Sequence, residues 1–212
     1  MPFGVPKVPF EGPDEEEVTW VDLYNLLFRE RVLFLGREIK AEITNNLVSL
    51  LVFLSVESPD WRPTLLINSP GGLVFYGLAI YDTVCAARAR TLCVGLAVSM
   101  ASIVLIGGAD SKRAAFPHAE TKERLFIHII RVMIHQPRMK EFEDETTEVI
   151  REARVMLGLR ECITEIYVQQ TGQPCWVISA DLEWDTYMTA TEAKAYGMID
   201  MILVKQKKED GN

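Results

Sequence analysis

Ser99 lies in the middle of an uncharged run, Thr91 to Ala109, between small and apolar neighbours. The segment before it, Thr91-Leu-Cys-Val94, reads as a buried strand, and Ala101 to Ile106 after it reads as a buried helix. A serine on a tight strand-to-helix turn presents its hydroxyl at the helix N-terminus, where free backbone N–H groups attract developing negative charge. That is the setting of an activated nucleophile. Ala97 and Ala101 occupy the places that glycines hold in a G-x-S-x-G elbow.

A serine nucleophile needs a base to take its proton, and the base needs an acid to orient it. Three histidines are available. His118 follows Pro117 at a strand end and reads as a loop residue. His128 sits among Phe126, Ile127, Ile129 and Ile130 and reads as a core or edge residue. His135 closes a strand just before Gln136-Pro137, where side chains meet clefts. Arg124-Leu-Phe-Ile-His128 and Arg131-Val-Met-Ile-His135 form a near-repeat. Its odd offset would put the two imidazoles on opposite faces of one continuous strand, so only one can face a given partner. Among ten aspartates, most fall in helices, turns or tails. Asp185 opens a strand between Trp184 and Thr186, where aromatic shielding would suit an orienting carboxylate. The residues by themselves leave the choice of base and acid open.

The elements that must hold these groups alternate. Arg31–Gly36 reads as a strand and Ala41–Val56 as a helix with Ile43, Leu47, Leu50, Leu51 and Leu54 on one stripe. Pro63–Asn68 reads as a strand, Ser69-Pro-Gly-Gly72 as a turn and Leu73–Ala87 as a helix. Lys112–Phe116 is a strand, and Leu125–His135 is rich in strand-forming residues. Met139–Gln170 is a long amphipathic helix dense in Glu and Arg, Pro174–Ala180 one more turn of helix, and Asp185–Met188 a strand. Thr191 is expected to cap Glu192–Tyr196, and Met198–Leu203 to close the chain as a strand. Repeated strand-turn-helix units predict an α/β fold with parallel strands. Residues 1–17, with four prolines and Asp14-Glu-Glu-Glu17, read as a flexible arm, Thr19 as a cap for a helix through Leu27, and 205–212 as a solvated tail.

The formal charge of −8 argues against nucleic acid and anionic membranes as partners. Cys85, Cys93, Cys162 and Cys175 show no C-x-x-C spacing and read as reduced thiols. With three histidines and no H-E-x-x-H, no metal is expected, and the Pro-Gly-Gly turn lacks the G-x-x-x-x-G-K-[ST] spacing of a nucleotide site, so no cofactor is expected either. The opening residues lack a basic n-region and an apolar h-region, and the Thr91–Ala109 run is short for a membrane span and broken by Gly95, Gly107 and Gly108.

Several longer motifs share one order. They are Met1-Pro-Phe-Gly-Val-Pro-Lys-Val-Pro-Phe10, Trp20-Val-Asp-Leu-Tyr-Asn25, Arg29-Glu-Arg31, Ile67-Asn-Ser-Pro-Gly-Gly72, Ile80-Tyr-Asp-Thr83, Gly95-Leu-Ala-Val-Ser-Met100, Phe116-Pro-His-Ala119, Arg131-Val-Met-Ile-His-Gln-Pro137, Met188-Thr-Ala-Thr-Glu-Ala193 and Ala195-Tyr-Gly197. Across nearly the whole chain they resemble the proteolytic subunits of Clp proteases (ClpP), a serine peptidase family, and the plastid-encoded type in particular. The resemblance implies a ClpP/crotonase-like fold of repeated β-β-α/β-α units, a peptidase domain over 18–204 and a projecting handle helix at about 138–170. It implies Ser99 as nucleophile, His135 as general base, Asp185 as orienting acid, and the backbone N–H groups of Gly72 and Met100 as the oxyanion hole. It further implies unfolded polypeptide substrates, an AAA+ ATPase unfoldase that consumes the ATP, a two-ring barrel of fourteen subunits that include related inactive ones, residues 1–17 at an axial pore, and the plastid stroma.

Against that pattern, residues 120–130 look inserted, Val98 and Ala101 add bulk beside Ser99, and Trp184 stands where relatives often carry an arginine. Val98, Ala101 and the insertion motivate a second reading, a ring subunit with little or no catalysis. A third, a crotonase-type acyl-CoA enzyme, would use paired N–H groups but has no need of Ser99 or His135.

Overall fold

The structure is a computed structural model and describes residues 4–10, 18–117, 131–138 and 146–203. Its first ordered pair is β1 (Lys7–Phe10) against β2 (Thr19–Asp22), antiparallel, with Lys7 opposite Asp22. This corrects two expectations. Residues 7–10 are not part of a formless arm, because β2 supplies the backbone partners that their composition does not reveal, and the Arg29 guanidinium lies 4.8 Å above the Phe10 ring. Nor does Thr19 cap a helix: it lies in β2, and the cap of α1 (Leu23–Arg29) is Asp22, whose Oδ1 accepts the Tyr24 N–H at 2.8 Å.

The turn out of α1 leads into β3 (Val32–Leu35), followed by α2 (Ala41–Glu57), β4 (Thr64–Ser69), α3 (Val74–Ala86), β5 (Arg90–Val98), α4 (Met100–Ile106) and β6 (Arg113–Ala115). Arg31, at φ 60° in that turn, is a buried cation; it donates to Leu54 O at 2.8 Å and Trp61 O at 2.6 Å and pairs with Glu57 at 2.9 Å, closing the C-terminus of α2. Next come β7 (Arg131–Ile134), α5 (Thr146–Thr171), α6 (Cys175–Asp181), β8 (Thr186–Met188), α7 (Ala190–Tyr196) and β9 (Met201–Ile202). The strands form one sheet in the order β3-β4-β5-β6-β9, and β7 also pairs with β5, and β8 with β7. Every pairing in it is parallel except β7–β8. This mixed α/β architecture, with seven helices among the described residues, is the expected class.

The apolar run around Ser99 is the centre of the core. All seven residues of α4 are buried, packed with Leu35, Leu51, Ile67 and Ile80. Such a helix has no solvent side, so it carries no charge, and its one polar side chain, Ser102, is hydrogen-bonded internally. The strand before it is longer than its sequence suggests, running to Val98 rather than stopping at Val94. Gly95 absorbs the irregularity. At φ 106° it sits where the β4 register shifts, from Ile67 opposite Cys93 to Ser69 opposite Ala97. Beyond this bulge β5 leaves β6, which it pairs at Thr91–Cys93, and takes β7 as its neighbour at Leu96–Val98.

The cap of α7 is Thr189 and not Thr191. Thr189 Oγ1 accepts the Glu192 N–H at 3.2 Å while Glu192 Oε2 accepts the Thr189 N–H at 2.8 Å, a reciprocal box that needs Glu three residues on. Thr191 has Lys194 in that place. The insertion-like 120–130, His118, His128 and the tail lie outside the described residues, as do residues 139–145, which the sequence expectation counts in the long helix.

Arg113 in β6 ties the last strand to the rest. Its backbone N–H and guanidinium hold Asp200 at 2.9, 3.1 and 2.7 Å, and Nη1 donates to Gln170 O at 2.9 Å. Burial pushes the Asp200 pKa up, but the Arg113 hydrogen bonds and charge outweigh it, and the carboxyl ionises below its ordinary range. A carboxyl depressed in the folded state stabilises above its unfolded pKa and loses that effect as pH falls through the folded value. Asp200→Asn should therefore lower the unfolding free energy by about 2 kcal/mol at neutral pH. Denaturant titrations at several pH values should show the difference from wild type shrinking below about pH 4.

Candidate active site

Ser99 follows the last residue of β5, with φ 57° and ψ −126°, a strained conformation for a residue with a Cβ. Three hydrogen bonds hold it there. Its N–H donates to Met133 O in β7 at 2.9 Å, and its carbonyl accepts from Ser102 N–H at 2.9 Å and from Ser102 Oγ at 2.6 Å. Ser102 spends its one hydroxyl proton on that carbonyl, so the buried Tyr167 hydroxyl, 2.8 Å away, is the donor to Ser102 Oγ. Tyr167 belongs to α5. The long helix thus reaches the backbone of Ser99 through one hydroxyl relay.

His135 and Asp185 come together by register. In the antiparallel β7–β8 pair, Val132 lies opposite Met188, Met133 opposite Tyr187 and Ile134 opposite Thr186. The next step beyond the paired residues sets His135 opposite Asp185. His135 Nε2 lies 2.8 Å from Ser99 Oγ, hydrogen-bond distance, and its side chain is only 15% exposed. The other ring nitrogen is less well served. Nδ1 is buried, stands 3.4 Å from Asp185 Oδ1, and has no hydrogen-bond partner among the described residues. The same Asp185 oxygen pairs with the Arg138 guanidinium. Asp185 is 39% exposed and Trp184 beside it 78%, so the expected aromatic shield is absent: the indole turns to solvent and an arginine takes its place against the carboxylate.

Electrostatics follow from this arrangement. Burial lowers the His135 pKa first, the Arg138 charge lowers it further, and Asp185 raises it; the net effect is downward from the usual histidine value. The imidazole is therefore neutral, and able to accept a proton, from below the ordinary histidine range upward.

The remaining expected groups border the same space. Gly72, Val74, Ser99, Met100, His135 and Tyr167 are among the walls of a cleft of about 120 Å³. Met100 opens α4, so its N–H is one of the unsatisfied donors of a first helical turn. Gly72 sits in the Ser69-Pro-Gly-Gly turn, which Ser69 fixes by accepting the Gly71 N–H at 3.1 Å and donating to Arg37 O at 2.7 Å. A Cβ on Gly72 (φ 156°) would fall 2.2 Å from Ile39 O, and one on Gly71 (φ 86°) 2.5 Å from Val98 O. Glycine is required at both positions for the turn to lie against the serine. Ala101 is fully buried in α4.

The structure thus gathers Ser99, His135, Gly72 and Met100 around one cleft, with Asp185 behind the His135 ring. Sequence reasoning missed Arg138, Ser102 and Tyr167. Tyr167 falls on the apolar stripe of α5 with Ile163, where a phenol reads as one more core ring.

Comparison with known proteins follows the same line. A sequence model of the family described as Clp protease matches residues 14–206. The chain is 53% identical over 207 residues to the Chloroplastic ATP-dependent Clp protease proteolytic subunit 1 of Arabidopsis thaliana, covering 97% of this chain and 100% of that protein. It is 52% identical, with the same coverage, to the ATP-dependent Clp protease proteolytic subunits of Nicotiana tabacum and Eucalyptus globulus subsp. globulus.

The crowding at Gly71 makes a direct test. Gly71→Ala should lower the reactivity of Ser99 toward a fluorophosphonate by about 100-fold through displacement of the turn and the serine. Gly36→Ala, where a Cβ meets no heavy atom within 4 Å, should leave it unchanged. Rates of adduct formation measured by mass spectrometry compare the two.

Proposed function

We propose, since this chain belongs to the Clp protease family, that it is a working serine endopeptidase subunit of a Clp-type compartmental protease. In this reading it hydrolyses peptide bonds of unfolded proteins delivered by an AAA+ ATPase unfoldase. The observation that carries the proposal is the 2.8 Å approach of Ser99 Oγ to His135 Nε2 at a cleft also bordered by Gly72 and Met100. Ser99 Oγ attacks the carbonyl carbon while His135 Nε2 takes its proton. The Gly72 and Met100 N–H groups donate to the resulting oxyanion, and His135 returns the proton to the leaving amine. Asp185 orients the imidazole and stabilises its charged form. Water then repeats the sequence on the acyl-enzyme. The chain uses no cofactor of its own; the ATP belongs to the partner.

The same reading covers the assembly. The subunit joins a barrel of fourteen subunits, in two stacked rings, with related, including inactive, chains. The N-terminal residues line the axial pore and the α5 region forms the handle between rings. That handle fits a helix of 26 residues, about 39 Å long. Ile163 and Tyr167 near its C-terminal end are buried, while Ile150, Val155 and Leu157 in its N-terminal half are exposed. Its place of work in this reading is the plastid stroma, and the chloroplastic relative supports the plastid.

A second reading, a catalytically weak or inactive structural subunit of a mixed ring, is favoured by one observation: His135 Nδ1 has no hydrogen bond to Asp185. The two readings separate in the assembled complex. A fluorophosphonate should label Ser99, and Ser99→Ala should remove both the label and this subunit's share of peptide cleavage. An unlabelled Ser99 in a folded, assembled chain would sink the peptidase reading.

The pH profile is a further check. Because the His135 pKa is lowered, the acid limb of Ser99 labelling should fall below about pH 6.5, the usual histidine value. A limb at or above that value would contradict the proton-acceptor role under these surroundings.

A further inference from the structure

The carboxylate of Asp185 has two claimants. His135 Nδ1 stands 3.4 Å from Oδ1, buried and without a hydrogen bond, while Arg138 donates to that same oxygen through Nη2. An imidazole that accepts the Ser99 proton at Nε2 carries its own proton on Nδ1, and that proton needs an aligned acceptor. Between the two donors the guanidinium has the advantage, because a bond between two ions is shorter and stronger than one from a neutral ring. At 61% exposure the arginine also gives up little hydration to make it.

We infer that Arg138 is a positioning residue that restrains the reaction by acting through Asp185: it holds the carboxylate toward itself and leaves the Nδ1 proton of His135 unsupported. The inference rests on the peptidase reading above.

The chain places Arg138 for this role. It follows His135 by three residues, and the intervening loop is fixed, with Gln136 N–H donating to Leu182 O at 2.8 Å and Arg160 Nη1 to Gln136 Oε1 at 2.8 Å. Arg138 therefore leaves the loop facing Asp185, the residue just before β8. The charges around the imidazole separate cleanly. From the β5–α4 junction comes neutral Ser99. From α5 come Tyr167, whose phenol burial keeps neutral, and Arg160, whose charge Glu183 matches. From the start of β8 comes Asp185, and from the histidine's own loop comes Arg138. Arg138 is thus matched by the very anion that His135 would use. Its removal has two effects of one sign: the carboxylate turns to Nδ1, and a repelling positive charge disappears. Both make the imidazole a stronger base.

The test compares the wild-type chain with Arg138→Leu and Arg138→Lys in the assembled complex. The rate of Ser99 modification by a fluorophosphonate is read by mass on this chain from about pH 5 to about pH 9. Arg138→Leu should react about three- to tenfold faster at neutral pH, with its acid limb moved to higher pH. Arg138→Lys, which keeps the charge, should stay near wild type, and the gain from Arg138→Leu should shrink in an Asp185→Asn background, where only the loss of the repelling charge is left. Arg138→Leu that reacts no faster than wild type, with an unmoved acid limb, would overturn the inference while leaving the peptidase reading intact. Absence of labelling in both chains would overturn the peptidase reading and this inference with it. Labelling of Arg138→Leu alone would support both in their strongest form.

Discussion

Everything at the site hangs from one strand that changes neighbours halfway. β5 runs beside β6 through Cys93, passes the Gly95 bulge, and continues beside β7 to Val98. A strand that kept a single neighbour on that edge would have no place for β7. The bulge is therefore the constraint on which the rest depends: it admits β7, β7 brings β8, and each of the three strands carries one functional side chain just past its end. Ser99 follows β5, His135 follows β7, and Asp185 precedes β8, which runs the other way. The groups meet because hydrogen-bonded ladders stop at one level, a more rigid solution than three loops converging.

Two costs gather at this level. One is the conformation of Ser99, of the order of 1–3 kcal/mol for a residue with a Cβ in a sparsely populated region. Met133 O, Ser102 and Tyr167 offset it with hydrogen bonds made in a buried setting, where they are worth most. The other is the buried Nδ1 of His135, which is left without an acceptor in this arrangement. The first strain is compensated locally and fixes the nucleophile. The second is not, and it makes the neighbourhood of Asp185 the least settled part of the site.

Much of this was legible in the residues. An unbroken apolar run on either side of one serine reported α4 and β5 because a helix buried all round has no polar face to show. Position alone leaves the choice of base and acid open, and only a resemblance across many motifs selects His135 and Asp185, since register between strands fifty residues apart leaves no periodic trace. The misses share a cause. Thr19 and Thr191 were read as caps from residue type, while the structure used Asp22 and Thr189, whose partners lie at the required distance. Thr91–Val94 reads as the whole strand, and the bulge at Gly95 that lets it continue to Val98 leaves no sign in the residue pattern. Arg138 and Tyr167 act through single contacts between distant elements, and no spacing rule anticipates those.

The ladder-borne site also bears on how this chain can change length. Side chains alternate between faces along a strand, so one residue gained or lost within Arg131–Ile134 would turn His135 away from Ser99. The chain between Pro117 and Arg131 precedes the first paired residue of β7, and its length does not enter the register with β5 or β8. Additions there leave the pairing register of β7 unaltered, whereas a single codon between Arg131 and His135 would not. The segment just upstream of the site is thus free to drift in size, and the four residues that follow it are not.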